Sequence, residues 1–139
     1  MKIMFCGASS GVTGSCHLLK TEKHNLLMDC GQFQGGKAQE ILNYEPFPFE
    51  PAEVEAMILS HAHIDHCGRI PLLVKRGFRG KIYCTDATAD LLEVQGGENF
   101  VLLAERFGAG FIGCFSLGNT RRILQRGDGV ARFIEKHIL

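Results

Sequence analysis

Between His61 and His66 the chain reads His-Ala-His-Ile-Asp-His, which places three of its six histidines beside an aspartate. Imidazole nitrogens and carboxylate oxygens together form the donor set of zinc and similar divalent ions. The spacing restricts the backbone. On a helix, residues two apart point away from each other, whereas on an extended segment they share a face. His61 and His63 therefore read as a grip on one metal at the end of the apolar run "VEAMILS" (54–60). Asp65 and His66 follow where the chain turns toward a helix, from which they can reach a second metal. Two ions about 3.5–4 Å apart can share a bridging hydroxide, an activated nucleophile.

The elements that must position this cluster are legible from pattern. "KIMFCG" (2–7), "GSCHLLKT" (14–21) and "NLLMDCG" (25–31) read as strands, with "EKHN" between the last two predicting a hairpin. A glycine-rich loop, "CGQFQGGKAQ", comes next, then "NYEPFPFEP", whose prolines exclude helix interior. "VEAMILS" is nearly continuous in apolar residues, as expected of a strand buried on both faces. Beyond the cluster, "RIPLLVKRG" (69–77) predicts a short helix with Pro71 in its first turn and Gly77 as its stop. "KIYCT" (81–85) predicts a strand, and "DATADLLEVQ" (86–95) a helix capped by Thr85 or Asp86. A β-meander followed by alternating strands and helices indicates an α/β layered domain. "VARFIEKHIL" (130–139) reads as a last strand.

Asp29, at the end of "NLLM", reads either as a turn former or as a carboxylate that orients a ligand histidine or a metal-bound water. Cys67 reads as a packing residue, His17 and His24 as structural or solvated, and Arg69 as a solvated helix start.

The loop "GASSGVTG" after the first strand is a rival site, because glycine-rich turns in that position can cradle phosphates. A dinucleotide fold requires a helix directly after the glycines. Here a hairpin follows, neither Tyr44 nor Tyr83 has a lysine four residues on, and no G-K-[ST] occurs. The loop reads as a tight connection between two strands.

Bulk properties narrow the classes. The chain has 139 residues, which fits one domain, and 15 basic and 15 acidic residues cancel. There is no overall basic excess to attract nucleic acid. No apolar run approaches the roughly 20 residues of a membrane span, and the start lacks the apolar stretch of about 7–15 residues of a secretory signal. The expectation is a cytoplasmic protein with no membrane partner. None of the six cysteines forms a C-x-x-C pair, so they read as buried thiols.

The cluster is the H-x-H-x-D-H hallmark that the chain shares, by resemblance, with the metallo-β-lactamase superfamily. The flanks "GASSGVTGSCHLLKTEKHNLLMDCGQFQGG" and "LSHAHIDHCGRIPLLVKRGFRGKIYCTDATADLL" resemble the β-CASP branch of RNA-processing nucleases over residues 1–95. The resemblance implies the N-terminal half of an αββα sandwich, a mixed sheet with flanking helices. It implies two zinc ions, with His61 and His63 on the first and Asp65 and His66 on the second, Asp65 and Asp29 serving the chemistry, and RNA as substrate. "KHIL" resembles the start of a later family segment. It implies His137 as a further ligand of the first zinc, with Glu135 and Lys136 in place of small residues.

On this reading residues 1–139 form a single, incomplete domain, and 96–120 match the family poorly. The bridging aspartate and the RNA-binding cap would lie outside the chain, and self-association through an exposed sheet face is expected. Two other readings stay open. One is a metallo-hydrolase of thioesters or lactams, the other a non-catalytic metal-binding fragment or interaction module.

Overall fold

The computed structural model describes residues 1–96 and 111–113. Six strands form one sheet in chain order: β1 (Lys2–Phe5), β2 (His17–Lys20), β3 (Asn25–Met28), β4 (Ala56–Ile58), β5 (Lys81–Cys84) and β6 (Phe111–Gly113). The first three pair antiparallel, and β3 through β6 pair parallel. This is the α/β arrangement expected from the pattern, with the mixed sheet that the resemblance implies. The β2–β3 hairpin closes with Lys20 opposite Asn25, and the Thr21 hydroxyl accepts the His24 amide at 2.8 Å inside the turn.

Strand register sorts side chains by alternation. Met4, Leu18, Leu27, Met57 and Ile82 are successive cross-strand partners and share one face. Four of them, Leu18, Leu27, Met57 and Ile82, are buried in the core with Ile70, Leu73 and Val74 of the helix Ile70–Lys75, with Phe78, and with Leu92. Each such side chain contributes about 1.5–3 kcal/mol by leaving water. On the opposite face Ile3, Phe5 and Met28 are exposed; this is the face on which the expectation of self-association rests.

Among the described residues four helices connect these strands: α1 (Lys37–Ile41), α2 (Ile64–Cys67), α3 (Ile70–Lys75) and α4 (Asp86–Gly96). A 3-10 turn at Pro51–Glu53 leads into β4. α3 carries Pro71 in its first turn and is followed by Gly77 with φ of 113°, as the sequence predicts. α1 corrects the reading of "CGQFQGGKAQ" as a loop throughout. It buries no residue, so no apolar periodicity marked it; Lys, Ala, Gln and Glu simply favour helix.

Of the two cap candidates for α4, Thr85 serves: its hydroxyl accepts the Thr88 amide at 3.0 Å. Thr85→Ala is expected to lower stability by about 1 kcal/mol, read as an earlier urea midpoint with an unchanged slope. Among the described residues no helix is long and apolar enough to cross a membrane. The strand expected over 130–139 lies outside the described residues.

Because β1, β3, β4 and β5 run the same way, the loops after β1, β3 and β4 gather at one end of the sheet. The loop after β3 is fastened there on both sides. Cys30 and Gln32 amides donate to the carbonyls of His66 (2.8 Å) and Ile64 (3.0 Å), and the Gly31 amide to that of Ser15 (2.8 Å). The Ser15 amide in turn donates to the Asp65 carbonyl at 2.9 Å.

Candidate metal centre

The histidine cluster stands where β4 ends. Its first two members lie outside the strand, and His63 adopts an extended backbone (φ −67°, ψ 144°) as the residue before α2. The rings of His61 and His63 nevertheless meet, with centroids 4.6 Å apart. Asp65 and His66 sit on the single turn of α2, whose start is tied by the His66 and Cys67 amides donating to the His63 carbonyl. That turn swings His66 back over His61, ring centroids 4.0 Å apart.

Asp29 organises the group. It follows β3 in the left-handed region, φ 59°, a conformation that aspartate tolerates better than most residues. This backbone turn sends its carboxylate across to the end of β4. There Oδ1 accepts the Ser60 amide at 2.8 Å. Oδ2 accepts the Ser60 hydroxyl at 2.9 Å and the Ser15 hydroxyl at 3.2 Å, and lies 2.8 Å from His66 Nδ1. A carboxylate accepts only, so a proton belongs on Nδ1, and in the neutral imidazole Nε2 keeps its lone pair. Nε2 faces Asp65 Oδ2 at 3.6 Å. Two acceptors facing each other at this range are suited to a cation between them.

Among the described residues no group of three or more histidine, cysteine, aspartate or glutamate side chains is arranged to hold a metal ion. The donors are instead gathered in contacts of two. Their chemistry fits a divalent ion on two counts: Asp29 directs His66 Nε2 outward, the support that metal-binding histidines commonly have, and His61 favours its neutral, ligating form. Burial is the main cause of that preference, since it disfavours the charged imidazolium. His137 lies outside the described residues.

The remaining sequence readings divide. Cys67 is buried as a packing residue, its thiol directed at the Ala62 carbonyl; burial, then Asp29 and Asp65, push its pKa up to about 11. It is no thiolate ligand at neutral pH. His24 pairs with Glu55 at 2.8 Å, and His17 packs edge-on against Phe5. Arg69 is a correction: it is buried, not solvated. Its guanidinium lies 4.3 Å from the Phe47 ring centroid and 5.4 Å from that of Phe33, and Nη2 donates to the Glu45 carbonyl. The apolar stem and stacking plane of arginine let it serve as core. Sequence reading also missed Ser60 and Ser15, since single serines in loops carry no spacing signal.

A family model described as the metallo-beta-lactamase superfamily matches residues 10–126. Ribonuclease TTHA0252 of Thermus thermophilus is 49% identical over 94 residues, 68% of this chain and 21% of that protein. Transcription termination factor FttA of Methanosarcina mazei is 38% identical over 66% of this chain and 15% of its own length. Cleavage and polyadenylation specificity factor 73 of Drosophila melanogaster is 34% identical over 63% of this chain and 13% of its own. The chain thus spans about a fifth or less of the length of these relatives.

Proposed function

Because the chain belongs to the metallo-beta-lactamase superfamily, we propose that it serves RNA phosphodiester hydrolysis with a divalent metal, zinc in the first instance. The β-CASP branch expected from the flanking motifs is the branch of the three relatives above, and a ribonuclease at 49% identity supports RNA as the substrate class. The same reading places the protein in the cytoplasm.

The observation that carries the proposal is the 2.8 Å contact between Asp29 Oδ2 and His66 Nδ1. It lets a buried carboxylate hold one imidazole tautomer, the support that metal-binding histidines commonly have. In this reading His61 and His63 hold one ion, Asp65 and His66 hold a second, and His137 completes the first. Bound metal would supply Lewis acidity toward a phosphoryl oxygen and an activated water. The chain's own residues act before that. Asp29 keeps the proton on Nδ1 of His66, while the Ser60 amide and the two serine hydroxyls keep Asp29 from turning away.

Metal analysis of the purified protein is expected to find about one zinc ion or more per chain, with a clear drop in His63→Ala. His63 is exposed, so its truncation leaves the core intact. Any cleavage by the chain is expected to fall on RNA and to be abolished by a chelator, with thioester and lactam substrates inert. Absence of metal from the wild-type protein and an unchanged variant together would sink the metal reading. Turnover of a thioester or lactam with RNA untouched would move the protein to another substrate class.

A further inference from the structure

The loop "GASSGVTG" is not used by the metal site, yet it walls a cavity of about 680 Å³ at the same end of the sheet. That volume lies within the range of small-ligand sites, roughly 300–1,000 Å³. Phe5, Ser9 and Ser10 line one side, and Phe33, Gln34 and Gln39 the other. The lining described contains no charged side chain. A phosphate would find no ion-pairing partner in it. An uncharged flat group with hydrogen-bonding edges would find the exposed Phe5 ring together with hydroxyls and amides.

The cavity is built firmly. The Thr13 hydroxyl both accepts the Gln34 amide (2.9 Å) and donates to the Gln34 carbonyl (3.1 Å), tying the two walls together. Asn43 brackets Phe33 by accepting its amide at 2.7 Å and donating to its carbonyl at 2.8 Å. A Cβ on Gly14 would stand 2.5 Å from the Phe33 ring, so the ring is seated directly on glycine backbone. Among the described residues only Ala8 and Asp29 hold left-handed backbones without being glycine, at φ 55° and 59°. One follows β1 and the other β3, and such outliers gather at functional sites. The wall also continues into the metal centre, because Ser15, two residues beyond Thr13, bonds both Asp29 and the Asp65 carbonyl.

We propose that this groove is a nucleobase subsite, which receives one base of a single RNA strand whose neighbouring phosphate reaches the histidine cluster. The proposal rests on the RNA reading above. It adds that the uncharged groove holds a base by stacking and edge contacts, with the phosphate left to the cluster. Every base has a π face, so recognition there tolerates sequence.

Fluorescence anisotropy tests it with the full 139-residue chain, in chelator, using a labelled phosphorothioate RNA hexamer and the same strand with abasic central positions. The base-containing strand is expected to bind at least about tenfold more tightly. Ser10→Trp, which fills the groove from an exposed position, and Gln39→Ala, which removes an exposed edge contact, should each narrow that ratio and leave abasic-strand binding unchanged. Equal binding of the two strands, or an undiminished ratio in both variants, would overturn the proposal and give the groove to some other occupant. Base-dependent binding by a protein that takes up no zinc, in wild type and His63→Ala alike, would keep the subsite and remove the metal-dependent nuclease reading, so the two fail separately.

Discussion

Asp29→Asn is expected to keep the fold and lower zinc affinity by about 10- to 100-fold. Asparagine is isosteric and accepts the left-handed backbone that residue 29 adopts at φ 59°. Its Oδ1 can still take the Ser60 amide, which donates to Asp29 at 2.8 Å. The amide nitrogen would replace Oδ2, the oxygen 2.8 Å from His66 Nδ1. Both serine hydroxyls can rotate to accept from it. The imidazole can accept only by moving its proton to Nε2, and a protonated Nε2 cannot ligate. The thermal midpoint should therefore shift by only a few degrees while a zinc competition titration weakens. Asp29→Ala should lose both, since each buried donor left unsatisfied costs about 1–3 kcal/mol. Unchanged zinc affinity in Asp29→Asn would show that Asp29 does not set the tautomer.

The second large effect is expected from a single methyl group. A Cβ on Gly31 would lie 1.6 Å from the Asp65 carbonyl oxygen and 2.1 Å from its carbon. Both are backbone atoms, and neither side can yield. Gly31 is tied through its amide to Ser15, and its neighbours Cys30 and Gln32 are tied to His66 and Ile64. Making room would break the bonds that join the β3 loop to α2. Gly31→Ala is expected to cost about 4 kcal/mol or more, comparable with the low end of a domain's whole stability of about 5–15 kcal/mol. Circular dichroism and urea unfolding would read this as an unfolded or barely folded chain. Gly11→Ala is the control: nothing lies within 4 Å of its Cβ, and a change of no more than about 0.5 kcal/mol is expected. A wild-type midpoint for Gly31→Ala would mean that this loop does not press on α2.

Much of the frame could be read from local pattern, because local pattern is what builds it. Alternation and turn residues marked the β2–β3 hairpin, Pro71 and Gly77 bracketed α3, and Thr85 or Asp86 announced α4. The six-residue histidine motif stood out in the sequence, since residue type and spacing are both sequence properties. α1 was missed for the converse reason, as a surface helix that buries nothing leaves no periodic trace. Arg69 was misread because a charge at a helix start is ordinarily solvated, and the two phenylalanines that stack on it, Phe33 and Phe47, come from other loops.

By itself, then, the sequence determined which histidine and carboxylate side chains stand close along the chain and the elements that carry them, through residue type, period and capping. Only the tertiary structure decided how Asp29 is used. Its partners Ser15, Ser60 and His66 lie 14, 31 and 37 residues away, and meet because parallel strands bring the ends of β3 and β4 side by side. The same parallel order puts the β1 loop beside the β3 loop. What read along the chain as a tight connection thus becomes, in the folded sheet, one wall of a groove beside the cluster.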